Sequence, residues 1–445
     1  MTGAVTPYRL STADMGLVLI LTIGIYTHLS FQITPTVPFP SAVAGLAGLV
    51  LLWRRRDSVT PFGLSAFFAV ILVYVVASLL APDPTFLGKR STGLLQLIYS
   101  LAAAYGLLLT LSIADPRQIA RLYLWFCLTI AIGCLLETYG GLRPVSDAVR
   151  HRIYSTGVYD ADIRDLLLYG KIRPKFFASE PAAVTFTYTI CSFVWLVTCQ
   201  WRWKILGYGA LVALGMVAMP GPTLLLMLLL LAPYEFSMAG GGNTAAARTV
   251  GLVKFSLFLV ALLIGAGYLG STVYAERLHH MSAGDDPSFF YRVIGPALAA
   301  QYVLGHYPLA GTGLTGEAVA YQGIMDAFTH SSAFSPSWDV GASSEALSNY
   351  FWLHWINLGL VFGLLAIAVL SMWLKTAGVA HLTFCWLVWA IMGQASGAYV
   401  GPATWVVLAW AGGCSILHRR RSASAEGRRS IPVFHPSPVL LRDHG

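Results

Sequence analysis

Long apolar runs, broken by short polar stretches, fill most of this sequence. Each run is close to the roughly 20 residues that an α-helix needs to cross the hydrocarbon core of a bilayer. Because lipid offers backbone groups no water to bind, repeated runs of this length predict an all-α polytopic membrane protein with about twelve transmembrane helices. The expected ranges are 15–34, 38–53, 60–81, 91–113, 119–141, 178–200, 205–219, 221–236, 250–272, 349–373, 378–393 and 400–417.

Two of these spans, 205–219 and 221–236, are short and are separated by the sequence Pro-Gly-Pro at 220–222. Proline ends or kinks a helix because it lacks a backbone N–H and clashes with the preceding turn. The region is therefore either two short spans or one re-entrant hairpin. No internal repeat or soluble domain is evident, so residues 1–417 are expected to form a single transmembrane domain.

Composition supports this fold class. Of the 445 residues, 56% are hydrophobic and 11% are charged, whereas soluble domains carry roughly 25% charged residues. The formal net charge of +8 is attributed to cytoplasmic anchors and not to nucleic-acid binding. The cysteines fall in or beside apolar runs, and no histidine pair has metal-site spacing, so no disulfide framework, metal or cofactor is predicted.

Basic residues of the short loops alternate onto one side of the predicted bundle, which the positive-inside rule assigns to the cytoplasm. They are Arg54, Arg55, Arg56, Arg117, Arg121, Arg202, Lys204, Arg248, Lys254, Lys375, Arg419, Arg420 and Arg421. Both termini are then cytoplasmic, and the Ser/Arg-rich tail at 418–445 is expected to be disordered. The two longest polar segments, 142–177 and 273–348, become extracytoplasmic loops.

The first of these loops is basic, against the usual sidedness. Near its end stands Arg173-Pro-Lys175-Phe-Phe-Ala-Ser-Glu180-Pro181. Arg173 and Lys175 are predicted to hold an anionic group such as a lipid-linked diphosphate, with Glu180 orienting or deprotonating a hydroxyl. A self-paired, solvated loop followed by an ordinary helix start at Pro181 is the alternative interpretation.

The second loop carries Tyr291-Arg292, then Pro308-Leu-Ala-Gly311-Thr-Gly313-Leu, and ends at Ser348-Asn349 before an aromatic-rich helix. The run 311–316 matches G-x-G-x-x-G, but no βαβ unit surrounds it, so a tight turn explains its glycines better than a nucleotide site does. Asn349 stands at a helix N-cap position, and capping is its structural alternative.

The order of these motifs over roughly 290–365 resembles the shared C-terminal region of bacterial O-antigen polymerases and O-antigen ligases. The segment ending at Glu180-Pro181 resembles a phrase, Arg-x-x-Gly-Phe-x-x-Glu-Pro, found upstream in that superfamily. Ligases carry a histidine before the helix-opening asparagine, where this chain has Ser348. A serine cannot serve as that base, which favours the polymerase.

The resemblance implies a GT-C-like glycosyltransferase architecture in a bacterial inner membrane, with two large periplasmic loops. It implies a metal-independent enzyme that joins oligosaccharide units carried on undecaprenyl diphosphate. Expected partners are these substrates, membrane lipids, and a chain-length regulator and flippase of the same pathway. A ligase transferring glycan to lipid A-core and a lipid-linked sugar transporter remain the alternatives.

Under this hypothesis the predicted catalytic residues are Arg173, Arg292, Glu180 and Asn349. The predicted substrate-binding residues are Lys175, Tyr291, His330 and His354. His354, His330, Glu345 and Glu180 are the candidates for a general base, and the sequence alone does not choose among them.

Overall fold

The computed structural model describes residues 9–34, 37–154, 158–239, 286–335, 338 and 347–429, and isolated positions between 253 and 279. The helices are α1 (Thr12–Thr27), α2 (Ala42–Arg54), α3 (Pro61–Leu80), α4 (Leu87–Ile113), α5 (Pro116–Tyr139), α6 (Arg143–Ile153), α7 (Asp162–Tyr169), α8 (Pro181–Thr198), α9 (Lys204–Ala218), α10 (Leu225–Tyr234), α11 (Gly295–His306), α12 (Tyr321–Thr329), α13 (Tyr350–Thr376), α14 (Leu382–Gly393) and α15 (Pro402–Arg429). Two short strands, β1 (Phe31–Thr34) and β2 (Val37–Phe39), pair as an antiparallel hairpin.

The described chain is mostly helical and membrane-embedded. Five helical segments are long and apolar enough to cross a bilayer, namely Pro61–Leu80, Pro84–Ile113, Pro116–Tyr139, Pro181–Thr198 and Tyr350–Thr376. Shorter apolar helical segments are Thr12–Thr27, Ala42–Arg54, Lys204–Ala218, Pro222–Met238 and Leu382–Gly393. The predicted span 250–272 lies almost wholly outside the described residues. The all-α membrane class is thus confirmed, while the count of twelve spans stays a prediction.

Helix α8 lies in the interior of the bundle, and nearly all of its residues are buried. It packs against α1, α5, α9, α10 and α15. A second layer is formed by α4, which packs against α2 and α15, and by α13, which packs against α3. The first residue of α8, Pro181, therefore lies at the end of a rigid, buried helix, and this is where the candidate site forms.

Helix α13 is broken at Gly359, whose backbone (φ 66°, ψ −170°) is not helical. The segment after α11 fills the break and binds the freed backbone groups. The Leu360 N–H donates to the Pro308 carbonyl at 2.7 Å, and the Thr312 N–H donates to the Ile356 carbonyl at 2.9 Å. Backbone N–H and C=O groups at the break therefore find hydrogen-bond partners within the protein. Irregular backbone inside a membrane protein is tolerated only under this condition.

The tight turn predicted from the glycine motif is confirmed. Gly311 and Gly313 have φ of 59° and 78°, a region that favours glycine. A Cβ on Gly311 would lie 2.3 Å from the Ile356 carbonyl oxygen. The buried Arg90 at the start of α4 holds the turn from its other side, donating to the Thr312 carbonyl at 2.9 Å. The glycine turn thus packs between α4 and α13.

The polar segments contain more regular structure than the sequence predicted. Helices α6 and α7 lie within 142–177, and α11 and α12 lie within 273–348. Helix α15 continues past residue 418, where the sequence predicted the tail to begin, and ends at Arg429. Arg421 on this extension donates to the carbonyls of Val197 and Cys199 at the end of α8. Residues 430–445 lie outside the described chain.

Candidate functional site

A cavity of about 200 Å³ opens where α8 begins. Its walls come from α7, from the segment leading into α8, from the turns preceding α11 and from the residue before the cap of α13. The lining residues are Tyr159, Arg164, Leu168, Tyr169, Arg173, Glu180, Pro181, Ala182, Pro287, Ser288, Tyr291, Arg292 and Ser348. Four of the predicted site residues therefore meet in one place: Arg173 from the first predicted loop, Glu180 from the start of the span that follows it, and Tyr291 and Arg292 from the second loop.

Arginines outnumber carboxylates among the residues that line the cavity. Of the described lining residues, three are arginines and one, Glu180, is a carboxylate. Two helix starts also face it, at Pro181 of α8 and at the helical turn Pro287–Phe289. The first turn of a helix presents N–H groups without helical partners and a partial positive charge, so the start of α8 favours an anion. At the Pro287 turn the Asp286 carboxylate already accepts from the N–H groups of Ser288 and Phe289.

The arginines differ in how they are compensated. Arg173 lies 2.8 Å from the buried Asp165 carboxylate, and Arg164 lies 3.5 Å from Asp286. Within the described part of the chain, no ion pair involves Arg292. Its charge is consequently the one most available to a bound anion.

Burial lowers the pKa of the Arg292 guanidinium; the Glu180 carboxylate opposes that shift, and the positive charges of Arg173 and Arg164 add to it. The guanidinium still stays protonated because arginine does not lose its proton in proteins. The Asp286 carboxylate also opposes the shift, so its main cause is the poorly solvated position of the guanidinium, to which repulsion from the two arginines adds. Binding of an anion would relieve that repulsion.

Asn349 holds Arg292 in place through the backbone. Its side-chain oxygen accepts from the N–H groups of Phe351 and Trp352, so the capping role considered from the sequence is confirmed. Its amide nitrogen donates to the Arg292 carbonyl at 2.7 Å and to Gln394 Oε1 at 2.8 Å. Asn349 is fully buried and acts on the cavity through Arg292, as a positioning residue.

Side chains from α5 and α6 hold the turn between Arg173 and Glu180. Glu137 of α5, buried at the end of an apolar helix, accepts from the N–H groups of Lys175, at 3.0 Å, and of Phe176. Arg150 of α6 donates to the Ala178 carbonyl at 2.8 Å. An acidic residue in such a helix needs partners, and here the turn's own amides provide them.

Two consecutive phenylalanines in this turn have positive φ, 36° at Phe176 and 65° at Phe177. This conformation costs a bulky residue about 1–2 kcal/mol. The cost is offset by hydroxyl groups that bind the turn's carbonyls: Tyr26 donates to Phe176 O at 2.6 Å and Tyr154 to Phe177 O at 3.0 Å. The segment from Arg173 to Glu180 is thus strained but fixed by hydrogen bonds, and both of its end residues line the cavity.

Replacing Glu137 with glutamine is expected to destabilise the protein by about 2 kcal/mol, because an amide cannot accept from both N–H groups with charged oxygens. The turn would loosen and activity would fall with it. Thr138→Ala on the same helix is the matched control, since the buried Thr138 hydroxyl has no hydrogen-bond partner within the described residues. Thermal unfolding in detergent micelles measures both; equal melting temperatures would contradict the anchoring role.

Three predicted substrate-binding residues are not among the described residues that line the cavity: Lys175, His354 and His330. Lys175 is buried and its Nζ lies 2.8 Å from Asp162, as the self-paired alternative anticipated. His354 is buried inside α13, with Nδ1 beside the Tyr399 hydroxyl and Nε2 beside the Gly363 carbonyl. These contacts occupy both ring nitrogens.

The other base candidates are distributed differently. His330 is exposed at the end of α12, where its ring contacts the Asp326 carbonyl at 2.6 Å. Glu345 lies outside the described residues. Glu180 is the candidate that the structure places on the cavity wall, with its side chain exposed.

Some lining residues were not singled out from the sequence. Tyr159 and Tyr169 stand in the first loop, and Ser288 follows the helix start at Pro287. The Tyr159 hydroxyl donates to Asp165 and lies 3.1 Å from the Arg173 guanidinium, while the Tyr169 ring lies under Arg173, 4.7 Å from it. Aromatic residues interleaved with the basic ones were the available signal, since arginine stacks on aromatic faces.

No family model, curated protein or solved structure matches this chain. Its function is therefore inferred from the geometry of the cavity and the membrane location of the fold.

Proposed function

We propose that this protein is a polysaccharide polymerase of the O-antigen type, which joins oligosaccharide units carried on undecaprenyl diphosphate at the outer face of a bacterial inner membrane. The observation that carries the proposal is the convergence of Arg164, Arg173 and Arg292 on one cavity at the end of a membrane-embedded bundle. Planar guanidinium groups bind phosphate oxygens in pairs and suit a diphosphate better than any other side chain.

In this mechanism the diphosphate of the donor binds among the arginines, with Arg292 as the main contact. The hydroxyl oxygen of the acceptor sugar bonds to the anomeric carbon of the donor while the bond from that carbon to the diphosphate oxygen breaks. The electron pair leaves with the diphosphate, whose new charge the arginines stabilise. Glu180 takes the hydroxyl proton, and Ser288 and Tyr291 help to position the sugars.

The ligase alternative is less well supported. Ser348, which occupies the position where ligases carry their histidine, lines the cavity, so that position faces the site and bears no base. A transporter is the third candidate. It would be expected to place charges within its spans and to show repeat symmetry, whereas the arginine cluster lies at the end of the bundle.

Deleting the gene from its host is expected to leave lipopolysaccharide, or the equivalent surface polymer, as core bearing a single repeat unit. Wild-type protein should restore the ladder of longer chains. The measurement is the banding pattern on a gel. Core alone, with long lipid-linked polymer accumulating in the membrane, would indicate the ligase, and an unchanged ladder would contradict both glycosyltransferase assignments.

A further inference from the structure

Helix α7 has two opposite faces of different character. Arg164 and Leu168 line the cavity, and Asp165 between them is fully buried. On the other side, Ile163 and Leu167 are 77% and 70% exposed. Successive helical residues are separated by 100°, so positions three and four apart share a face. With Leu166, which is also exposed, the apolar residues lie roughly opposite the side formed by Arg164, Asp165 and Leu168.

The segment that follows α7 contacts the end of an exposed apolar stripe on α5. On α5, exposed Ile132, Leu136 and Tyr139 form one stripe that runs to the end of the helix. Lys171, which follows α7 directly, reaches this point: its Nζ lies 3.4 Å from the Tyr139 hydroxyl. Tyrosine and lysine are the residues typical of the boundary between hydrocarbon and headgroups.

Lys171 also fixes the position of α7 along the axis of the helix bundle. Its Nζ donates to the Val217 carbonyl at 3.2 Å, near the end of α9, as well as to Tyr139 at the end of α5. Gly170, with φ of 66°, ends α7 and turns the chain toward that contact. The short helix therefore lies where two apolar helices end, at the level expected for the membrane surface.

We propose that α7 is an interfacial helix: Ile163, Leu166 and Leu167 insert into the outer leaflet of the bilayer while Arg164 and Leu168 face the cavity. An apolar stripe on a short helix, exposed at the bundle's edge and backed by charge, fits a lipid surface. In water the same face would leave three large apolar side chains exposed side by side. If the proposed function is also correct, a lipid-linked diphosphate enters beside α7, with its head in the cavity and its tail in the leaflet.

The insertion is tested by spin labelling of the full chain in vesicles of phosphatidylethanolamine and phosphatidylglycerol. A nitroxide on Leu167→Cys is compared with one on Arg152→Cys, an exposed position of α6. All six native cysteines are buried, so wild-type protein serves as the labelling blank. At 167 we expect several-fold more collision with oxygen, and several-fold less with a water-soluble nickel complex, than at 152.

Equal access of the nickel complex at the two positions would overturn the proposal, because the face would then be in water. Exclusion of both reagents at 167 would overturn it as well, since the face would be covered by a second copy or another protein. These readouts do not depend on activity.

The entry route is tested separately with Leu167→Asp. Turnover of a donor with a long polyprenyl chain should fall several-fold, whereas turnover of a short-chain, water-soluble donor should not change. Equal effects on both donors would contradict the route. An inactive wild type would count against the proposed function and leave the labelling result intact.

Discussion

A chain carrying Arg292→Ala is expected to extend polysaccharide about 100- to 1,000-fold more slowly than the wild type, the loss usual when one preorganised donor to a developing anion is removed. Arg292 is the cavity arginine that no carboxylate of the described chain pairs with, so its charge is not already neutralised by the protein. In the proposed mechanism the leaving diphosphate gains charge as the glycosidic bond forms, and Arg292 would stabilise that charge more than it stabilises the bound donor.

Two further variants make the measurement specific. Arg292→Lys keeps the charge but loses the planar pair of donors, so an intermediate rate is expected. Arg152→Ala removes an exposed arginine of α6 outside the cavity lining and should leave the rate unchanged. Chain-length distribution and the separate kcat and KM with a synthetic lipid-linked donor are the readouts. Full activity of Arg292→Ala at normal protein levels would refute the assignment.

Gly311→Ala is expected to destabilise the protein by about 3 kcal/mol, enough to reduce the amount of folded protein several-fold. Two costs combine: the φ of 59° disfavours any residue with a Cβ, and that Cβ would lie 2.3 Å from the Ile356 carbonyl oxygen. The contact is with backbone, which cannot rotate away. Helix α13 would have to shift at its break, and the hydrogen bond from the Thr312 N–H to the Ile356 carbonyl would be lost.

Gly305→Ala is the matched control. Gly305 lies six residues earlier in α11, and apart from its chain neighbours and the backbone of its own helix, no described atom lies within 4 Å of the position that its Cβ would take. Alanine in a helix is favoured over glycine by up to about 1 kcal/mol. Thermal unfolding monitored by size-exclusion chromatography in detergent compares the two variants. A Gly311→Ala protein as stable as Gly305→Ala would show that the contact between the glycine turn and α13 tolerates a side chain at 311.

The sequence predicted the parts of the site that local rules govern. Pro181 after a carboxylate indicated a helix start, and α8 begins there. Glycines after Pro308 indicated a turn with positive φ, which Gly311 and Gly313 adopt. The pairing of Arg173 with Arg292 in one cavity followed from sidedness together with the family resemblance, not from spacing, since more than a hundred residues separate them.

What the sequence did not reveal depends on which polar groups meet in three dimensions. Lys175 and Arg173 are two residues apart and both basic, yet one is paired with Asp162 away from the cavity and the other lines it. Glu137 stood at the end of an apolar run, and its role exists only because the turn at Phe176 reaches it. The break at Gly359 is likewise permitted by a segment about fifty residues earlier that satisfies it.

The Asn349 tether has a consequence for how the protein is made. A single amide joins the Arg292 carbonyl to Gln394, and the Tyr350 N–H donates to the Ser396 carbonyl at 2.7 Å. The second wall of the cavity therefore becomes fixed only after α14 has left the ribosome and entered the membrane. A nascent chain that has inserted its first helices already carries Arg173 but lacks a positioned Arg292. If the proposed function is correct, the capacity to bind donor arises late in synthesis, and unfinished chains do not capture lipid-linked sugar.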